Sequence, residues 1–89
     1  MIQRQLTIIN KLGLHARAAA KLVALASRFE CEIRLAKQGT EVNGKSILGV
    51  MMLAAAKGTE LLVSADGADE AEALDALEAL LARRFDEAE

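Results

Sequence analysis

The chain has 89 residues, 53% of them hydrophobic, with 11 Lys and Arg against 13 Asp and Glu for a net charge of −2. That length holds one small domain over residues 1–89 and leaves no room for a second fold or a large catalytic scaffold. The charge balance argues against the broad basic face of a nucleic-acid binder, and Phe29 and Phe85, the only aromatics, cannot build the stacking platform of a single-strand RNA reader.

Residues 2–9 predict a strand, and Asn10-Lys11-Leu12-Gly13 turns the chain after it. Ala19, Leu22, Val23, Ala26 and Phe29 then recur at helical spacing, which predicts a first helix from Ala16 as far as Phe29. Cys31, Ile33 and Leu35 alternate with Glu32, Arg34 and Ala36, the period of a half-buried strand. Lys37-Gln38-Gly39 turns into a short strand over Thr40–Val42, Asn43-Gly44 breaks it, and Ser46 caps a short apolar helix from Ile47 to Leu53. Leu61–Ala65 predicts the fourth strand. Asp66-Gly67 turns again, Asp69 with Glu72 resembles a capping box, and Leu74, Leu77 and Leu81 form the apolar stripe of a last helix. The order is βαββαβα. Strands with one apolar face and amphipathic helices pack most economically as an α+β open-faced sandwich, a four-stranded antiparallel sheet with three helices on one face.

The only histidine, His15, lies in Gly13-Leu14-His15-Ala16-Arg17, just before the first helix. There its imidazole sits beside the free N–H groups of the first turn, the positive end of the helix dipole and the Arg17 guanidinium. Such surroundings favour an anion, and a phosphoryl group on the ring would bring about two negative charges for them to stabilise. The competing reading is a turn histidine without function. One His and one Cys cannot supply the ligands of a zinc site, and no cofactor is expected. Gly39-Thr40-Glu41-Val42-Asn43-Gly44-Lys45-Ser46 matches the Walker A string, but the strand predicted inside it breaks the loop that a nucleotide site needs.

Ser46 is read as an N-cap toward the N–H of Leu48 or Gly49, a position that also suits a phosphate. With Val50 and Leu53 inward, Ile47, Leu48, Met51 and Met52 exceed what one sheet covers and predict a docking patch, together with Ala16, Ala20 and Ala24 of the first helix. The alternative is a third layer or a dimer that covers them. Cys31 continues an apolar strand face and is expected to be buried and inert. The single cysteine cannot close an internal disulfide, and neither a signal-like N-terminus nor an 18-residue apolar run is present. A cytoplasmic protein without membrane insertion is expected. The acidic tail Asp86-Glu87-Ala88-Glu89 reads as a solvated end.

Asn10-Lys11-Leu12-Gly13-Leu14-His15-Ala16-Arg17, followed later by Asn43-Gly44-Lys45-Ser46-Ile47-Leu48-Gly49-Val50-Met51-Met52-Leu53, closely resembles the histidine-containing phosphocarriers of the HPr family. The resemblance spans nearly the whole chain and implies a sheet in which the first and fourth strands are neighbours. It implies that His15 accepts a phosphoryl group at Nδ1 from Enzyme I, charged by phosphoenolpyruvate, and passes it to an EIIA-type domain. Arg17 matches the family's phosphate-assisting arginine and Ser46 its regulatory phosphorylation site, the target of a serine kinase/phosphorylase. The implied protein is a stoichiometric carrier rather than an enzyme, and a monomer. Ala18 departs from the proline common after His-x-Arg. The runs His15–Lys21 and Gly49–Thr59 resemble the nitrogen-related NPr branch or a similar proteobacterial HPr. The rival reading is a non-carrier regulatory protein-binding module indifferent to His15.

Overall fold

The computed structural model describes residues 1–89 and contains β1 (Ile2–Thr7), α1 (Ala16–Ala26), β2 (Glu32–Lys37), β3 (Thr40–Asn43), α2 (Ile47–Met52), β4 (Glu60–Asp66) and α3 (Glu70–Ala82). The strands form one antiparallel sheet in the order β1-β4-β2-β3, so the first and last strands are neighbours. Register is fixed by alternation. Ile33 and Leu35 on β2 face Leu61, Val63 and Ala65 on β4 inside the core, all nearly inaccessible. A one-residue slip would send that whole set to solvent. The opposite face stays open and polar, where Gln5 donates to Glu60 Oε2 at 2.8 Å and Gln3 to Ser64 Oγ at 3.3 Å.

Helices cover the other face. Ala18, Ala19, Leu22, Val23 and Ala26 of α1 and Ala73, Leu74, Leu77, Leu80 and Leu81 of α3 are buried against the sheet. Arg4, on the helix-covered face of β1, bonds Asp75 at 2.7 Å and Glu78 at 3.0 Å and ties strand to α3. Between β2 and β3 the chain reverses on Gln38 and Gly39, with φ of 46° and 85°. Positive φ at both turn residues matches the twist of the flanking strands.

Beyond one-residue shifts at the ends of β3, α2 and β4, four boundaries or contacts differ from the sequence expectation. β1 stops at Thr7 instead of residue 9, because Ile8 pairs with the loop before β4 through Ile8 N to Thr59 O and Gly58 N to Ile8 O. α1 ends at Ala26, three residues before Phe29; Arg28 N and Phe29 N bond the carbonyls of Leu25 and Ala26, tight turns that prolong the apolar periodicity without the helix. Asp69 forms no capping box. Its carboxylate reaches across to accept from Glu30 N and Cys31 N, both at 2.9 Å, while Glu70 Oε1 accepts from Gly67 N. A tertiary partner has outcompeted the local one.

The fourth difference is the tail, which is not a solvated end. After α3, Arg84–Asp86 form a tight left-handed turn in which all three residues hold positive φ, of 57°, 55° and 64°. Non-glycine residues in that region cost about 1–2 kcal/mol each. Phe85 is fully buried in the core, which offsets about 1.5–3 kcal/mol of that strain. Lys21 Nζ secures the turn by donating to Phe85 O at 2.7 Å. Residues 87–89 are thereby laid back along the loop between β1 and α1, where Lys11 N donates to Glu89 O at 2.6 Å and Lys11 Nζ pairs with Glu89 Oε2 at 3.3 Å. No helix is long and apolar enough to cross a membrane.

Candidate functional site

The loop from Asn10 to Leu14 sets the position of His15. Gly13 has φ of 67°, and a Cβ there would meet Ala55 O at 2.5 Å, so only glycine lets the loop lie so close to residues 55–56. Leu14 N donates to Ala55 O at 2.8 Å, Leu14 is buried, and the next residue starts α1. His15 is the N-cap residue in extended conformation, with φ of −72° and ψ of 177°, but its side chain makes no capping bond. Its carbonyl accepts from Ala19 N at 2.8 Å. The N–H groups of Ala16, Arg17 and Ala18 find no acceptor within the chain, and they lie at the positive end of α1 beside the imidazole.

Arg17 is exposed and takes part in no hydrogen bond or ion pair, so its guanidinium is at liberty. Ala16 and Arg17 line an open cleft with Lys11, Leu12, His15 and residues 87–89 of the tail. Within it His15 Nε2 bonds Glu87 Oε2, and the other oxygen of that carboxylate accepts from Asn10 Nδ2 at 3.0 Å. Asn10 is fully buried and also donates to Gly13 O at 2.8 Å. The bond from His15, then that from Asn10, holds the Glu87 carboxyl below the usual carboxylate range. The His15 side chain is about 29% exposed, so an edge of the ring meets solvent, and Nδ1 carries no intramolecular bond.

Ser46 is found where a cap belongs: its Oγ accepts from Gly49 N at 3.1 Å and starts α2. Val50 and Leu53 turn inward, both buried, whereas Ile47 is 46%, Leu48 76%, Met51 42% and Met52 77% exposed. Ala16, Ala20 and Ala24 are exposed along α1, the helix against which α2 packs. Cys31 is buried, and that burial, with Asp69 second, pushes its thiol up, away from the reactive thiolate. The Walker A string is dismantled by the fold, since residues 40–43 form β3 and Lys45 Nζ donates to Phe29 O at 2.6 Å rather than facing an anion site.

Sequence reasoning missed Asn10, Leu12 and Glu87. Leu12 is 68% exposed at the rim of the cleft and joins the apolar surroundings of His15. Phe85 held the only available clue to Glu87, because a large apolar side chain placed after the last helical stripe has to be buried and draws the tail inward with it.

A family profile for the PTS HPr component phosphorylation site matches residues 2–83. The phosphocarrier protein HPr of Cupriavidus necator is 56% identical over 89 residues, covering all of both chains, and that of Pseudomonas aeruginosa is 56% identical over 86 residues, 96% of each. Among solved structures, HPr from Thermoanaerobacter tengcongensis superposes with a TM-score of 0.95 at 44% identity over 98% of each chain. HPr from Bacillus anthracis gives 0.85 at 42% identity over 88% of this chain and 93% of its own. With the βαββαβα fold and a histidine at the uncapped start of α1, these matches establish that the chain belongs to the HPr family, the phosphocarrier proteins of the phosphotransferase system.

Proposed function

We propose that the chain accepts a phosphoryl group at Nδ1 of His15 from an Enzyme I charged by phosphoenolpyruvate and donates it to an EIIA-type domain. The observation that carries this reading is the start of α1: free N–H groups, a helix dipole and an unpaired Arg17 converge beside an imidazole whose Nδ1 is unbonded. Phosphoryl transfer needs little covalent chemistry from the protein beyond such charge and positioning. Arg17 is assigned to the phosphoryl oxygens, which its planar fork suits. The carrier acts stoichiometrically, as a cytoplasmic monomer.

Ala16, Ala20, Ala24, Ile47, Leu48, Met51 and Met52 are assigned to docking. An exposed apolar surface suits partner proteins, and methionines adapt to more than one of them. Ser46 stands at the border of that surface. A serine kinase that phosphorylated it would place roughly −1.5 to −2 charges at the start of α2, which the helix tolerates and an apolar interface does not. The test is incubation with phosphoenolpyruvate and Enzyme I of the sugar and nitrogen-related branches in turn. Acid-labile label on His15 that moves to an EIIA-type domain supports the carrier reading. Label that never enters His15, with the apolar patch still binding a partner, supports a regulatory module instead.

A further inference from the structure

Glu87 reaches His15 because the residues on either side of it are held at several points. Phe85 is sunk in the core, Lys21 Nζ holds its carbonyl, Asn10 Nδ2 holds one Glu87 oxygen, and Lys11 grips Glu89 twice. The side chain of Glu87 is only about 18% exposed. Such a carboxylate, kept ionised by its donors, can only accept, so the proton between it and His15 Nε2 belongs to the ring. Nδ1 is then the nitrogen that keeps a lone pair.

We propose that Glu87 is a positioning residue for phosphoryl transfer, its carboxylate holding the Nε2 proton of His15 so that Nδ1 remains the nucleophile on acceptance and the neutral leaving nitrogen on donation. The inference rests on the carrier reading above. On acceptance, the Nδ1 lone pair forms the N–P bond while the bond from phosphorus to the donor's phosphohistidine breaks and its electron pair stays on the donor ring. The His15 ring, now bearing both the phosphoryl group and the Nε2 proton, becomes cationic, and Glu87 faces that charge directly. On donation, the P–Nδ1 bond breaks, the pair returns to Nδ1, and the ring departs neutral because Nε2 never lost its proton. Without that proton the leaving group would be an imidazolide anion, which departs far less readily. Arg17 and the α1 N–H groups serve the phosphoryl oxygens at one edge of the ring and Glu87 the proton at the other, the division of labour of a histidine oriented by a carboxylate in nucleophilic catalysis. Of the charged groups on adjoining elements, Lys21 donates to Phe85 O and its charge also helps keep Glu87 ionised, Lys11 pairs with Glu89, and Lys57 and Arg84 line a second cleft with Ala88 and Glu89.

Two variants and two readouts test this. Proton and nitrogen NMR of His15 at about pH 9, above the ordinary imidazole range, should show a slowly exchanging, downfield Nε2–H in the wild type and lose it in Glu87→Ala. Glu87→Gln keeps the shape and an accepting carbonyl but not the charge, and should retain the Nε2–H signal. Phosphoryl transfer from Enzyme I should fall by about tenfold in Glu87→Ala, equivalent to about 1.4 kcal/mol, and by less in Glu87→Gln. A proton found on Nδ1 in the wild type, or Glu87→Ala transferring at the wild-type rate, overturns the proposal and leaves the carrier reading intact. Wild type that takes up no phosphoryl group overturns both.

Discussion

The first two helices begin in opposite ways. At α2, Ser46 turns its side chain back and spends it on Gly49 N, a local bond that completes the helix. At α1, His15 holds the same N-cap position but leaves the helix uncapped and gives its ring to Glu87 from the far end of the chain. Forgoing a cap costs about 1 kcal/mol. In exchange, α1 keeps unspent N–H groups and an unpaired guanidinium where an anion can be received. On the proposed function, a cap that stabilises a helix and a cap position that serves chemistry are distinguishable by what the side chain bonds.

His15→Ala breaks this contrast most severely. It should abolish acid-labile phosphate incorporation while stability falls by only about 1 kcal/mol, since the bond to Glu87 is lost but no core packing is, as thermal unfolding will show. Arg17→Ala comes next. Losing a donor to the phosphoryl oxygens should slow transfer by about 10–1000-fold, measured in single turnovers, with little change in Tm because Arg17 is exposed and makes no hydrogen bond or ion pair. An unchanged rate would leave the helix N–H groups as sufficient.

At α2 the expected effects are on binding. Leu48→Glu puts a charge on a side chain that is 76% exposed, so Enzyme I affinity measured by calorimetry should weaken by about 1–3 kcal/mol while Tm holds. Ser46→Asp should slow His15 phosphorylation about tenfold, equivalent to about 1.4 kcal/mol of lost binding, and keep or slightly raise stability. Ser46→Ala should leave transfer nearly unchanged and lower stability by about 0.5–2 kcal/mol. Aspartate and wild type transferring equally fast would reduce Ser46 to a cap.

The start of α3 sharpens the comparison further, because Asp69 caps nothing and instead holds Glu30 N and Cys31 N. Those bonds, Glu30 first, hold its carboxyl below the usual range. A depressed folded value means that the stabilisation is fully present above the ordinary carboxylate range and is lost as pH falls through the depressed value. Asp69→Asn should therefore flatten the acid limb of the stability curve, followed by urea unfolding between about pH 5 and 2.

What could be read from the residues divides along the same line. Alternation in Ile33, Leu35, Leu61, Val63 and Ala65, and helical spacing in Leu74, Leu77 and Leu81, specify faces directly, and the short-range Ser46 bond follows from residue type alone. The surroundings of His15 were legible because its neighbours in sequence are also its neighbours at the start of α1. Glu87 was not. Its arrival depends on three left-handed residues, none of them the glycine or asparagine that marks such a turn, held there by the burial of Phe85. Asp69 was misread for a related reason: a carboxylate at a helix start has a local use, and the chain found a distant one.

The central claim is that the uncapped start of α1 makes His15 the phosphoryl acceptor. The most direct measurement is phosphorus NMR of the chain after incubation with phosphoenolpyruvate and Enzyme I, with the phosphorylated residue located by mass spectrometry. The expected spectrum shows one phosphoramidate resonance assigned to Nδ1 of His15, lost in acid and absent from His15→Ala. A phosphate that survives acid, or one that persists in His15→Ala, would contradict it.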